Sequence, residues 1–132
     1  MILVGGKALV SLGSSRSTDD TDYLVNLPNQ PMFINDVENN TDYLNACGSS
    51  FFMEIYEAEK GNDIASPQAL LELKAYALIQ HCQNCNWQKA DDAEFDIRFL
   101  VRNFNVKSLD RLAKIADSSE LKEVQKIINN VK

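Results

Sequence analysis

Residues 3–25 read LVGGKALVSLGSSRSTDDTDYLV, and the spacing of apolar residues, glycines and aspartates in this stretch decides the fold. An apolar run ends at Gly5 and Gly6, and residues 7–12 then predict a short helix. Residues 20–27 carry β-branched and aromatic side chains and stop at a proline, which is typical of a strand. The stretch therefore predicts a glycine turn and a helix directly before an acidic strand.

The rest of the first half is predicted to add further strands. Residues 32–37 favour a second strand, and residues 42–44 favour a short helix or a loop after a turn. Residues 51–56 (FFMEIY) are rich in aromatic side chains and are bounded by turn residues, which predicts a third strand.

Helical periodicity replaces the strand pattern in the second half. Ser66 and Pro67 are typical of a helix start, and the apolar arc that follows predicts a helix to residue 85. Three further helices are predicted, over residues 90–103, over residues 108–115, and after Asp117, which forms a capping box with Glu120. Strands followed by helices predict an α+β fold, with a small mixed sheet that carries the carboxylates and is backed by helices.

Length and composition limit the class of protein. The chain has 132 residues, of which 45% are hydrophobic, and this suits one domain, residues 1–132, with a sheet-bearing part (1–65) and a helical part (66–132). No apolar run approaches the roughly 20 residues that span a bilayer, and the N-terminus lacks a signal-peptide pattern. The three cysteines are an odd number, which favours a reducing compartment. We therefore expect a cytoplasmic protein that does not enter a membrane.

The net charge of -6 is unevenly distributed along the chain. Residues 1–96 contain 5 basic and 15 acidic side chains, whereas residues 97–132 contain 8 basic and 4 acidic side chains. The acidic excess opposes nucleic-acid binding by the whole surface, because such binding requires positive charge facing phosphates. It is either a solvated surface or, in part, a set of metal ligands, while the basic end leaves a weaker form of nucleic-acid binding open.

Three carboxylates form the candidate metal site. Asp20 and Asp22 are two positions apart, so on a strand both project from the same face of the sheet. Glu54 lies in the middle of the strand predicted over residues 51–56. If these strands are neighbours, the three side chains converge on one or two Mg²⁺ ions, an arrangement that suits phosphoryl transfer. Acidic residues at the end of a loop are the alternative interpretation.

Residues just before this strand suit a phosphate group. Gly5 and Gly6 have no Cβ, so the backbone N–H groups at a helix start can approach a phosphate closely. Arg16 adds a guanidinium, whose planar fork matches phosphate geometry. A turn that needs glycine and a solvated arginine are the alternatives.

Together these residues resemble the signature of the nucleotidyltransferase superfamily with the DNA polymerase β-like catalytic fold. In this sequence Val4-Gly5-Gly6 is followed by 13 positions and then Asp20-Thr21-Asp22. Arg16 and Thr18 lie within the gap, which is similar to the pattern of minimal members from abortive-infection and toxin–antitoxin systems. The stretches ASPQALLELKAYAL and AEFDIRFLVRNFN are similar to later helices of those members, at positions that match Lys74 and Asp96.

The resemblance implies an Mg²⁺-dependent enzyme that moves a nucleoside monophosphate from a nucleoside triphosphate to an acceptor hydroxyl on RNA, protein or a small molecule. It assigns catalysis and metal binding to Asp20, Asp22 and Glu54, and nucleotide binding to Gly5, Gly6, Arg16, Thr18 and Lys74, with Asp96 in a supporting role. The alternative is a catalytically silent binding or regulatory protein of the same fold, for example one of a toxin–antitoxin pair. A homo-oligomer or a cognate partner is consistent with either function.

Two charges and one histidine lie within apolar helix arcs. Lys74 and Asp96 each require an opposite charge or a ligand, so either they pair with each other or Lys74 contacts phosphate, and the two options are compatible. His81, Cys82 and Cys85 are spaced like metal ligands but lack a second pair, which favours packing over a zinc site.

Overall fold

The computed structural model describes all 132 residues, and the chain divides into two compact units, residues 1–66 and residues 67–132. The first unit contains a mixed four-stranded sheet with short helices, and the second unit is helical. The predicted α+β class is therefore confirmed, with the helices concentrated in the C-terminal half. That the two units act as a single domain stays a prediction.

The first unit places the acidic strand inside the sheet. Its elements are β1 (Ile2–Val4), α1 (Gly5–Ser11), β2 (Thr21–Val25), β3 (Phe33–Asp36), β4 (Thr41–Asn45), a 3-10 turn (Ala46–Gly48) and α2 (Ser50–Glu59). The strand order is β1-β2-β4-β3, in which β2 and β4 are parallel and the two outer pairings are antiparallel. The strands predicted over residues 20–27 and 32–37 are confirmed as β2 and β3, with shorter bounds.

The strand predicted over residues 51–56 is wrong, because this segment forms helix α2. The Ser49 hydroxyl accepts a hydrogen bond from the Phe52 N–H at 3.3 Å and so caps the helix start. Phe51, Phe52 and Ile55 are all buried. These three residues share one side of a helix, whereas a strand would separate Phe51 from Phe52.

The helix or loop predicted over residues 42–44 is also wrong, because these residues belong to β4. That strand pairs with β2 on one side and with β3 on the other, so its backbone N–H and C=O groups find partners in both neighbours. The hydrogen-bond partners of β4 are distant in sequence, so the strand propensity of residues 42–44 alone does not predict this pairing.

Asn45, at the end of β4, ties down the loop that follows β2. Its fully buried carboxamide accepts from the Leu27 N–H at 2.9 Å and donates to the Leu27 carbonyl at 2.8 Å. It also donates to the carbonyls of Gln30 and Pro31, both at 3.1 Å, and accepts from the Cys47 N–H at 3.2 Å. One side chain therefore satisfies five backbone groups of irregular segments, which no regular ladder would pair.

The second unit consists of four helices: α3 (Pro67–Gln83), α4 (Trp87–Phe104), α5 (Asp110–Ala113) and α6 (Ser118–Asn129). All four predicted helices are confirmed. Two residues after the end of α3, Cys85 has a left-handed backbone conformation (φ 54°), and the Cys85 and Asn86 N–H groups donate hydrogen bonds to the carbonyls of Cys82 and His81. No helix of the chain combines the length and the hydropathy needed to cross a membrane.

Glu72 holds α5 against α3 within the second unit. Its buried carboxylate accepts from the Arg111 Nε at 2.7 Å and from the Leu112 N–H at 2.9 Å. Leu112 is itself buried, so its N–H has no access to water. A four-residue helix has little intrinsic stability, and this ion pair with a backbone hydrogen bond fixes its position.

Replacing Glu72 with glutamine is expected to lower the free energy of unfolding by about 1–2 kcal/mol, because the amide keeps one acceptor oxygen but loses the charge that faces Arg111. Urea unfolding followed by circular dichroism measures the change. Glu123→Gln is the matched control, since the Glu123 side chain is 72% exposed, and its effect should stay within about 0.5 kcal/mol. Equal losses in the two variants would contradict a special role for Glu72.

Candidate functional site

Two carboxylates stand side by side on the central parallel strands. Asp22 on β2 and Asp42 on β4 occupy the same register position, and we call this pair the aspartate row. Val4 and Asn35 lie beside the pair on the outer strands. Neighbouring strands are about 4.8 Å apart, so both carboxylates project from one face within reach of a single ion. The Asn35 carboxamide donates a hydrogen bond to Asp42 Oδ1, which orients that carboxylate.

The glycine turn lies directly against Asp22. Gly5 has a φ of +70°, and a Cβ added there would lie 2.1 Å from Asp22 Oδ2, which no real side chain tolerates. A Cβ on Gly6 would lie 2.9 Å from Thr18 Oγ1 and 3.0 Å from Arg16 Nη2. Both glycines are therefore required by close approach of polar side chains rather than by turn geometry alone.

Five of the residues assigned from the sequence therefore lie close together in the first unit: Gly5, Gly6, Arg16, Thr18 and Asp22. The loop before β2 positions two of them. The Ser14 hydroxyl accepts from the Arg16 N–H at 3.2 Å, and the Thr18 hydroxyl lies 3.5 Å from the Asp20 carbonyl. The Arg16 and Thr18 side chains are half-buried, whereas Asp20 is exposed and precedes the first residue of β2.

Glu54 is not on the sheet, so the strand pairing that was expected to bring it to the aspartates does not exist. It lies on α2 with a half-buried side chain. Its assignment as a metal ligand stays a prediction that rests on the resemblance alone.

Asp42 is the functional candidate that sequence reasoning missed. The signal was available, because Thr21-Asp22-Tyr23-Leu24 is repeated as Thr41-Asp42-Tyr43-Leu44. The two tetrapeptides pair in register, and the Tyr23 and Tyr43 rings stack with centroids 6.1 Å apart. Alternation along the strands places the stacked tyrosines on one face and the paired aspartates on the other.

The carboxylate oxygens of Asp22 and Asp42 suit a magnesium ion, although the expected group was Asp20, Asp22 and Glu54. Mg²⁺ is usually held by one or two carboxylates and completes its shell with water and substrate phosphate. Asp22 and Asp42 match that number and chemistry. No group of three or more His, Cys, Asp or Glu side chains in the chain is arranged to hold a metal ion, so Asp20, Asp22 and Glu54 do not form one cluster.

Lys74 and Asp96 pair with each other within the second unit. The Lys74 Nζ lies 2.9 Å from Asp96 Oδ2, between α3 and α4. The Asp96 side chain is fully buried, and the Lys74 side chain is 15% exposed. This pairing is one of the two interpretations offered by the sequence, and a contact between Lys74 and phosphate stays a prediction.

His81 and Cys82 lie near the end of α3 among charged residues. Burial lowers the pKa of His81, and the nearby Lys89 and Lys74 lower it further. Burial also raises the pKa of the Cys82 thiol, and the carboxylates of Glu120 and Glu94 add to this increase. The thiol is therefore protonated at neutral pH, and a protonated thiol is a poor metal ligand or nucleophile.

Comparisons with protein-family models, with curated proteins and with solved structures found no match to this chain. Evidence for function therefore comes from the side chains of the first unit and from the sequence resemblance.

Proposed function

We propose that this protein is a Mg²⁺-dependent nucleotidyltransferase that moves a nucleoside monophosphate from a nucleoside triphosphate to an acceptor hydroxyl and releases pyrophosphate. One observation carries the proposal: Asp22 and Asp42 share a register position on parallel strands, and Asp22 lies against a glycine turn. The acceptor is RNA, a protein or a small molecule, and the site of action is the cytoplasm.

The polar side chains of the first unit have complementary roles. Asp22 and Asp42 supply oxygen ligands, and Mg²⁺ held there neutralises phosphate oxygens. The planar guanidinium of Arg16 binds a phosphate, and the Thr18 hydroxyl donates a hydrogen bond to an oxygen of the same phosphate. The proposal does not require Lys74, because Asp96 already neutralises its charge.

Asp20 and Glu54 complete the proposed catalytic residues. Asp20 is exposed directly before β2, and in this proposal it becomes a further metal ligand when the nucleotide is bound. Glu54 accepts the proton of the attacking hydroxyl, which needs a carboxylate near the acceptor rather than one in the aspartate row.

Charge makes nucleotide binding depend on the cation. Two adjacent carboxylates repel a triphosphate, and a cation bound between them reduces this repulsion. Binding should therefore require Mg²⁺ and should be lost when the metal is chelated. A phosphate site made only of arginine and backbone N–H groups would not show this dependence.

Asp22→Asn and Asp42→Asn are each expected to weaken Mg²⁺-dependent binding of a nonhydrolysable nucleoside triphosphate at least about tenfold, because each removes a charged ligand. Isothermal titration calorimetry with Mg²⁺ and with a chelator measures the effect. Asp63→Asn is the matched control, since Asp63 is exposed and outside the row, and it should leave the affinity unchanged. Wild-type affinity in both row variants, or no binding by the wild type, would exclude this site.

A catalytically silent nucleotide-binding or regulatory protein is the second candidate. It is favoured by the absence of a three-carboxylate group and by the position of Glu54 on a helix. Incubation with labelled triphosphates, Mg²⁺ and total cell RNA or protein separates the two functions. If label is transferred by the wild type and not by Asp42→Asn, the result supports an enzyme. If the wild type binds the triphosphate with Mg²⁺ but transfers no label, the result supports a catalytically silent protein.

A further inference from the structure

Helix α4 presents an exposed face that combines aromatic and charged side chains. Phe95 is 48% exposed and Trp87 is 60% exposed, although both are large apolar residues. Asp91 and Arg102 are also exposed, and the Arg98 side chain is 37% exposed. Aromatic and arginine side chains are the residue types that dominate the binding energy of protein interfaces.

Four of these residues form a single stripe along the helix. Asp91, Phe95, Arg98 and Arg102 follow one another at spacings of four, three and four positions, which is the spacing of the contact seam between two packed helices. The opposite side of α4 is buried in the second unit through Ala93, Ile97 and Leu100 among others. The stripe therefore has the pattern of a helix seam but faces solvent.

The two halves of the stripe carry charges of opposite sign. The N-terminal half carries Asp91, with Asp92 and Glu94 beside it, and the C-terminal half carries Arg98 and Arg102. A second copy of the helix laid antiparallel places Asp91 opposite Arg102 of that copy and Phe95 opposite Arg98 of that copy. A parallel copy would oppose like charges, so only the antiparallel arrangement is complementary.

We propose that this stripe is a two-fold symmetric interface through which two copies of the chain form a dimer. Each contact then occurs twice, as a two-fold axis requires: two Asp91–Arg102 ion pairs flank a centre of two Phe95–Arg98 cation–π contacts. Arg98 also forms an ion pair with Glu94 of its own helix at 3.3 Å, and Trp87 adds exposed apolar area at the N-terminal end of each helix.

The same stripe is a poor surface for a nucleic acid. Aromatic and arginine side chains together are typical of single-strand binding sites, but Asp91, Asp92 and Glu94 would repel the phosphate backbone along half of the stripe. A second copy neutralises Asp91 through its Arg102, and a phosphate backbone does not.

Charge exchange tests the dimer on the full chain by sedimentation equilibrium. Asp91→Arg places arginine opposite Arg102 of the second copy, and Arg102→Asp places aspartate opposite Asp91 of the second copy, so each variant alone should raise the dimer dissociation constant at least about tenfold. An equimolar mixture of the two variants should regain the wild-type affinity as a heterodimer, because one ion pair then keeps its original sign and the other is restored with reversed sign.

Several outcomes would overturn the proposal. These are a wild-type chain that stays monomeric at concentrations on the order of 100 μM, a dimer that both variants leave unchanged, and a mixture that does not associate.

Fluorescence anisotropy with a single-stranded RNA tests the other occupant: tighter binding by Asp91→Arg and weaker binding by Arg102→Asp, without change of oligomeric state, assigns the stripe to nucleic acid. Both positions are exposed, so circular dichroism should show unchanged folding in each variant.

Discussion

Replacing Lys74 with methionine is expected to lower the free energy of unfolding by about 3–5 kcal/mol, the usual cost of removing one partner of a buried ion pair. The Asp96 side chain is fully buried, so its carboxylate cannot turn to water for compensation. Methionine fills a volume similar to that of the lysine stem, and the loss therefore reports charge rather than packing. Urea unfolding of the full chain, followed by circular dichroism, provides the measurement.

Two further variants separate this explanation from a general effect of losing lysine. Lys126→Met removes a lysine that is 69% exposed and paired with Glu123 at 3.1 Å, and it should change the free energy of unfolding by no more than about 0.5 kcal/mol. The double variant Lys74→Met, Asp96→Leu should recover a large part of the loss, because it removes both charges. A double variant less stable than Lys74→Met would show that the ion pair is not the main contribution of these residues.

Replacing Gly5 with alanine is expected to lower the free energy of unfolding by about 2–5 kcal/mol. A positive φ costs a residue with a Cβ about 1–2 kcal/mol, and forced displacement of packed atoms adds about 1–3 kcal/mol. The displaced atoms belong to the Asp22 carboxylate, 2.1 Å from the added Cβ. The same variant should therefore weaken Mg²⁺-dependent nucleotide binding, since it moves a proposed metal ligand.

Gly13→Ala is the matched control for the Gly5 variant. Gly13 also has a positive φ, of +103°, but an added Cβ meets no atom within 4 Å. It should therefore show only the backbone cost and should leave nucleotide binding unchanged. Equal destabilisation by the two substitutions would mean that the contact with Asp22 has no energetic weight.

The sequence predicted the helix and the strand around the candidate site residues, because the information for these elements is local. Gly5, Gly6, Arg16, Thr18 and Asp22 lie within one short stretch, and the turn, helix and strand that connect them have strong residue preferences. Their convergence in the first unit follows from a chain that reverses direction between β1 and β2, which are antiparallel neighbours.

The position of Glu54 could not be predicted in the same way. The six residues FFMEIY are compatible with a strand and with a helix. The helix is favoured because Ser49 caps its start and because Phe51 and Phe52 are buried together. Because this segment is a helix, Glu54 is not on the sheet. Asp42 lies beside Asp22 instead, through the pairing of β4 with β2, and the two residues are 20 positions apart.

Long-range polar contacts were the least predictable part of the fold. The pairing of Lys74 with Asp96 was one of two interpretations, because a charge in an apolar arc requires a partner without specifying which. Nothing in the sequence marks Asn45 as the residue that satisfies five backbone groups, since its partners include Leu27 and Pro31 across a loop.

The parallel pairing of β2 with β4 makes the aspartate row sensitive to changes in chain length. Inserting or deleting one residue within β4 would turn every later side chain of that strand to the opposite face and would place a tyrosine or threonine beside Asp22. The bonds between Asn45 and Leu27 would break at the same time, because they join the ends of the two strands in one alignment. Residues 37–39 of the turn before β4 lie outside the paired positions of the strands, so natural variants of this protein should differ in length there and keep the five positions of β4 intact.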